Sequence, residues 1–154
     1  MVYLASTKKT QEQSMSFANI TIDNPYHEIE LLLDLKSLDS CYQHLCLSKH
    51  VIYYFMSDDD LLEVNKSSLG HDYYTDIITF DYSDDADIES NEILISWDRI
   101  KENALVHRQP LITELHRVCF HGMLHLHGIN DKTNDEQTNM TMNENQLLAL
   151  YCST

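Results

Sequence analysis

Two periods of apolar spacing run through this chain. Residues 29–47 are rich in Leu at helical intervals and predict a helix. Residues 51–56 form a continuous apolar and aromatic run, the pattern of a buried strand. Alternation is weaker over 17–22, which predicts a short strand before the Asn24-Pro25 turn signal. Ser57 followed by Asp58, Asp59 and Asp60 is a helix start, with the helix running to about residue 65. A loop around Gly70 is expected over 67–74, a strand over 76–82 and an acidic loop over 83–91. The next strand is predicted over 92–97, with Asp98 capping a helix to about residue 107. Pro110 suits the first turn of a long helix. Thr133 and Glu136 form a capping-box pattern that opens a last helix to about residue 151. The polar segment up to residue 16 predicts a frayed end or a sheet edge. The sum is a single α+β domain over 1–154, with a small mixed β-sheet packed with helices.

Residues 121–131 read H-G-M-L-H-L-H-G-I-N-D and change this picture from architecture to chemistry. His121 and His125 are four apart, so a helix presents both imidazoles on one face. Gly128 can take the left-handed conformation that ends a helix and turn the chain back, bringing Asp131 towards the same point. Two His and one carboxylate with room for water describe a catalytic zinc-type site better than a closed structural one. The predicted ligands of one zinc ion are therefore His121, His125 and Asp131, on the long helix and the loop after it. His127 falls about 200° round the helix from His125 and should point away. His116 is expected at the surface and Cys119 in the core. Tyr53, Tyr54, Phe55, Tyr73, Tyr74, Phe80 and Tyr82 are core aromatics or base-stacking surfaces.

The same intervals occur in metzincin proteases, H-E-x-x-H-x-x-G-x-x-H. Here Gly122 replaces the general-base Glu and Asp131 replaces the third His. Without a carboxylate beside the metal, that peptide-hydrolysis mechanism has no base. The ligand count also fits the 2-His-1-carboxylate centres of non-haem iron oxygenases.

Charge and cysteines narrow the setting. A formal charge of −15 argues against a protein that coats nucleic acid through bulk electrostatics. Half of the ten basic residues, Arg99, Lys101, Arg108, Arg117 and Lys132, nevertheless lie on the segment bearing the motif. They form either a local basic patch or scattered solubilising charges. Cys41, Cys46, Cys119 and Cys152 contain no C-x-x-C pair. Without a secretion signal or an apolar run of membrane-spanning length, reduced thiols in a cytoplasmic protein are expected.

The motif resembles the signature of the YbeY family of metal-dependent endoribonucleases, H-G-x-L-H-L-x-G-Y-D-H. Further blocks follow in the family's order. Asn65 and then Thr75-Asp76-Ile77-Ile78-Thr79-Phe80 resemble N…T-D-V-L-S-F. Asn91-Glu92-Ile93-Leu94-Ile95-Ser96 resembles G-D-I-x-I-S, and Glu114 matches the Glu before the metal helix. The resemblance implies a single-strand-specific endoribonuclease in ribosomal RNA maturation, at the small-subunit rRNA 3′ end, and in ribosome quality control. Implied partners are ribosomal RNA and ribosome or small-subunit assembly proteins, with no membrane and no DNA. A metzincin-like protease and a non-catalytic ribosome-assembly factor with a vestigial metal are the alternatives. Leu69 stands where the family carries Arg in Asn-x-x-x-Arg-Gly, removing an expected phosphate contact. Arg117, one turn before His121, either supplies that contact or pairs with Glu114. No side chain in the motif is an evident general base.

Overall fold

The computed structural model describes residues 13–152. In chain order these residues form β1 (Gln13–Phe17), β2 (Ile20–Asn24), α1 (His27–Leu32), α2 (Leu35–His44), β3 (His50–Met56) and α3 (Asp58–Leu69). There follow β4 (Ile77–Phe80), β5 (Ser90–Ser96), α4 (Trp97–Val106), α5 (Leu111–Leu126) and α6 (Asn134–Tyr151). The strands make one mixed sheet in the order β1-β2-β3-β5-β4. β2, β3 and β5 are mutually parallel, and β1 and β4 close the edges antiparallel. This is the α+β fold with a small mixed sheet that the apolar pattern predicts.

Helices cover both faces of the sheet, which explains the unbroken apolar run of β3. Val51, Tyr53 and Phe55 face the larger core, shared with α2, α5 and α6. Tyr54 and Met56 face a smaller cluster with Leu61, Val64 and Leu94 under α3. A strand buried on both sides loses its polar alternation.

Several elements differ from the sequence expectation, each for a local reason. The strand expected over 17–22 is instead a hairpin, β1 and β2, turning at Ala18 with φ 49°. Residues 13–16 thus lie in the edge strand, and 1–12 fall outside the described residues. The helix expected over 29–47 breaks between Leu32 and Leu35. Asp34 is the cause: its carboxylate accepts from the Lys36 and Ser37 amides and restarts the helix as α2.

α3 runs on to Leu69, into the expected loop, because Gly70 at φ 68° is its left-handed end. β4 is shorter than the expected strand. Ser96, not Asp98, caps α4, accepting from the Arg99 amide. The Asp98 carboxylate accepts instead from the amide of Asp58 in α3. Pro110 sits at the cap position before α5. The acidic loop after β4 is held by the Lys49 ammonium, which donates to the Tyr82, Asp85 and Ile88 carbonyls. The capping box of α6 is present, with Thr133 and Glu136 each accepting from the other's amide.

α5 packs tightly on the sheet at Gly122. A Cβ there would meet Ile93 of β5 at 2.9 Å and Ile77 of β4 at 3.1 Å. The Tyr53 hydroxyl, from β3, donates to the Cys119 carbonyl at 2.8 Å. Together these contacts set the end of α5 over the β4 edge of the sheet, where the candidate site lies. Among the described residues no helix is long and apolar enough to cross a membrane.

Candidate metal centre

The end of α5 brings the three residues of the motif together. α5 closes with the Gly128 amide on the His125 carbonyl and the Ile129 amide on the Leu124 carbonyl, both at 3.0 Å. Gly128 takes φ 99°, the left-handed position of a Schellman cap. The chain then doubles back, and Asp131 faces the last turn of the helix. His121 Nε2 and His125 Nε2 lie 2.9 Å apart. Asp131 Oδ2 is 3.3 Å from the first and 3.5 Å from the second.

Both rings are oriented from behind. His125 Nδ1 donates to the Ile129 carbonyl at 2.9 Å. His121 Nδ1 faces Glu144 Oε2 at 3.5 Å. With the protons on Nδ1, both Nε2 lone pairs aim at one point beside a carboxylate. Three electron-rich atoms held so close repel unless a cation lies among them. Bonds of about 2.0–2.1 Å in a tetrahedral site put ligand atoms about 3.3 Å apart. Spacings of 2.9, 3.3 and 3.5 Å bracket that value. The donor set fits a divalent ion, and one ligand atom from each residue lies within 4.8 Å of the others.

Electrostatics around the triad are dominated by carboxylates. Burial disfavours a charged His121, but Glu144, Asp76 and Asp131 outweigh it and raise its pKa. Burial and the neighbouring His121 lower the pKa of His125. Burial pushes the Asp76 carboxyl up, against the opposing pull of His121. Glu114 is raised as well, by burial first, with His107 and Arg117 opposing.

Two clefts border the triad. One, of ≈ 240 Å³, is bordered by His121, Asp131, Asp76, Glu114, Glu144 and Arg117. The other, of ≈ 430 Å³, is bordered by His125, Lys132, His71, Tyr73, Leu69 and Ile77. The first carries four carboxylates; the second mixes apolar and aromatic walls with one lysine and one carboxylate, Asp81.

The other candidate residues sort clearly. His127 points away, its Nδ1 donating to the Leu45 carbonyl. Cys119 is in the core, and the four cysteines are free thiols. His116 is a correction: it is 2 % exposed, not a surface residue. Its Nδ1 donates to the Ile112 carbonyl and its Nε2 accepts the Asp34 amide, so it joins α5 to the start of α2. Arg117 lies between Glu144 at 3.7 Å and Glu114 at 4.0 Å, the ion-pair reading. Arg99 and Lys101 are paired too, with Asp58 and Asp98, so no basic patch of these three residues remains. Tyr53, Tyr54 and Phe55 are core, whereas Tyr73 and Tyr74 are exposed.

Sequence reasoning missed Glu144 as a member of the site. Its one signal is an acid on the buried stripe of α6, with Met140 four residues before and Leu147 three after. Asp76 was visible only as part of a strand motif. Its place beside His121 depends on how α5 crosses β4.

Fold and site together are those of a small α+β protein with an open, three-residue candidate metal centre bordered by two clefts. The sequence matches the family described as Endoribonuclease YbeY over residues 8–151. The chain belongs to this family. A protein of Phocaeicola vulgatus named Endoribonuclease YbeY is 48% identical over 116 residues, 75% of this chain and 82% of that protein. One of Bacteroides thetaiotaomicron with the same name is 50% identical over 100 residues, 65% of this chain and 72% of that protein. A solution structure of a Thermotoga maritima protein shares the fold, with TM-score 0.56 and 22% identity, covering 86% of this chain and 89% of that one.

Proposed function

We propose that residues 1–154 act as one hydrolase domain, a metal-dependent endoribonuclease that cuts single-stranded RNA. The observation that carries this reading is the convergence of His121, His125 and Asp131 on one point at an open cleft. Membership of the family supplies the reaction class. Zinc is the proposed ion, because two imidazoles, one carboxylate and an open position form its usual catalytic set. A divalent ion held there supplies Lewis-acid chemistry, acidifying water and polarising a phosphoryl oxygen.

The chain's own residues do the rest. Glu144 and the Ile129 carbonyl hold the two rings with Nε2 inwards. Asp76, set in the same cleft beside His121, is the carboxylate suited to take the proton of the attacking water. Arg117 is held by Glu114 and Glu144, so it orders the carboxylate behind His121 instead of clamping phosphate. Lys132 and His71 on the other cleft are then the groups placed to meet a phosphodiester.

Within this reading the substrate is ribosomal RNA, with maturation of the small-subunit 3′ end and ribosome quality control as the setting. The site of action is cytoplasmic, with ribosome or small-subunit assembly proteins as partners. A metzincin-like protease is disfavoured by the packing at Gly122, which leaves no room for the base that mechanism needs. Elemental analysis of the purified protein, with cleavage assays on single-stranded RNA and on casein, tests the proposal. One equivalent of a divalent metal and RNA cleavage are expected; casein cleavage without RNA cleavage would overturn it.

A further inference from the structure

The two exposed tyrosines of the loop after α3 are not equivalent. Tyr74 is already engaged: its hydroxyl donates to Asp59 at 3.0 Å, and the Arg99 guanidinium lies 5.2 Å from its ring centroid. Tyr73 instead lines the cleft that reaches His125, and is 57% exposed. Its ring stacks on His71, with centroids 5.2 Å apart and planes 18° from parallel. A hydrogen bond between the Tyr73 hydroxyl and His71 Nδ1, at 3.0 Å, fixes the pair.

The loop beneath is anchored. Asn65 is 2% exposed, and its amide nitrogen donates to the Tyr73 carbonyl at 2.9 Å. Its own carbonyl accepts the His71 amide at 3.1 Å. A preset aromatic surface costs little to order when a planar ligand arrives.

We propose that Tyr73, backed by His71, is the seat for one unpaired base of the RNA strand beside the scissile phosphodiester. This rests on the endoribonuclease reading above. A strand whose phosphate reaches the triad extends into a cleft that borders it. The His121 side carries four carboxylates, Asp76, Glu114, Asp131 and Glu144, against one arginine that is already paired, a balance that repels a phosphate backbone. The His125 side offers Leu69 and Ile77 as apolar walls, Tyr73 as a π-face and Lys132 as a cation, with Asp81 as its one carboxylate. Stacking of this kind tolerates any base but needs it unpaired. Tyr73 thereby makes the cleft selective for single strands, and it acts as a positioning residue.

The test uses the full chain loaded with zinc and single-stranded RNA oligonucleotides. Tyr73→Ala should raise KM by roughly five- to hundredfold, the loss expected of one stacked base. Its kcat, metal content and unfolding midpoint should match the parent. Tyr73→Trp should keep the parental KM, and the emission of the new indole should be quenched by a 2′-O-methyl oligonucleotide but not by the matching duplex. Unchanged KM in Tyr73→Ala, or no quenching in Tyr73→Trp, overturns the inference while RNA cleavage by the parent leaves the endoribonuclease reading standing. A parent that does not cleave RNA overturns that reading, and this one with it.

Discussion

A Cβ on Gly122 would stand 2.9 Å from two methyl carbons of Ile93. Ile93 is fully buried on β5, which is paired on both sides by β3 and β4, so its side chain has little room to give way. The position that carries the general base in a metzincin is here a close approach of α5 to the sheet. Absence of that base is therefore a packing requirement as well as a chemical difference. Gly122→Ala gains helix propensity but overfills the contact, and the second effect is larger. We expect a loss of about 1–3 kcal/mol in urea unfolding. Gly122→Glu should fail to fold, and an Ala variant as stable as the parent would refute the close approach.

Metal content should follow the three converging atoms. Asp131→Ala is expected to lower the divalent metal bound after dialysis sharply, while His127→Ala retains it. Glu144→Gln should keep the fold and weaken metal affinity by roughly tenfold, since Glu144 orients His121 without being placed to ligate. Competition with a chromogenic chelator reads all three. Equal metal retention in Asp131→Ala and the parent would remove Asp131 from the site.

Arg117 makes its contacts with Glu114 and Glu144. Arg117→Ala leaves two largely buried carboxylates without their cation and should cost about 1–3 kcal/mol in stability. The salt dependence of RNA binding should stay as in the parent, because no phosphate contact is lost. Lys132→Ala should shallow that dependence. The opposite pattern would make Arg117 the phosphate contact.

His116 should make stability fall in mild acid. Burial lowers its pKa below the usual value, although the Ile112 carbonyl and Asp34 pull the other way. The neutral ring is needed, because Nε2 accepts the Asp34 amide and a proton there would oppose that donor. Below about pH 6.5 the unfolded chain takes up this proton while the folded chain does not. Its contribution is therefore complete above that pH and declines as pH falls towards the folded pKa. His116→Gln can keep the acceptor without titrating. Urea midpoints between pH 7.5 and 5.5 should fall less steeply in that variant than in the parent, and parallel slopes would dismiss the assignment.

Local signals carried much of what the chain builds. The four-residue spacing of His121 and His125, the Gly128 helix end and the Thr133–Glu136 capping box act within one or two turns, so the sequence by itself determined them. The unbroken apolar run of β3 likewise announced a strand buried on both faces. Other features depended on partners far along the chain. Leu-rich spacing could not reveal that Asp34 would interrupt a helix, because propensity yields to a carboxylate that captures two amides. His116 was invisible as a core residue until α5 met the start of α2, 82 residues away in sequence. Glu144 reaches His121 only because α6 packs against α5, and Asp76 reaches the same cleft only because Gly122 lets α5 down onto β4. The candidate ligand frame is a short-range matter of helix period and turn geometry. The carboxylates around it, and the two clefts that border it, are products of long-range packing, which side-chain spacing along a chain does not encode.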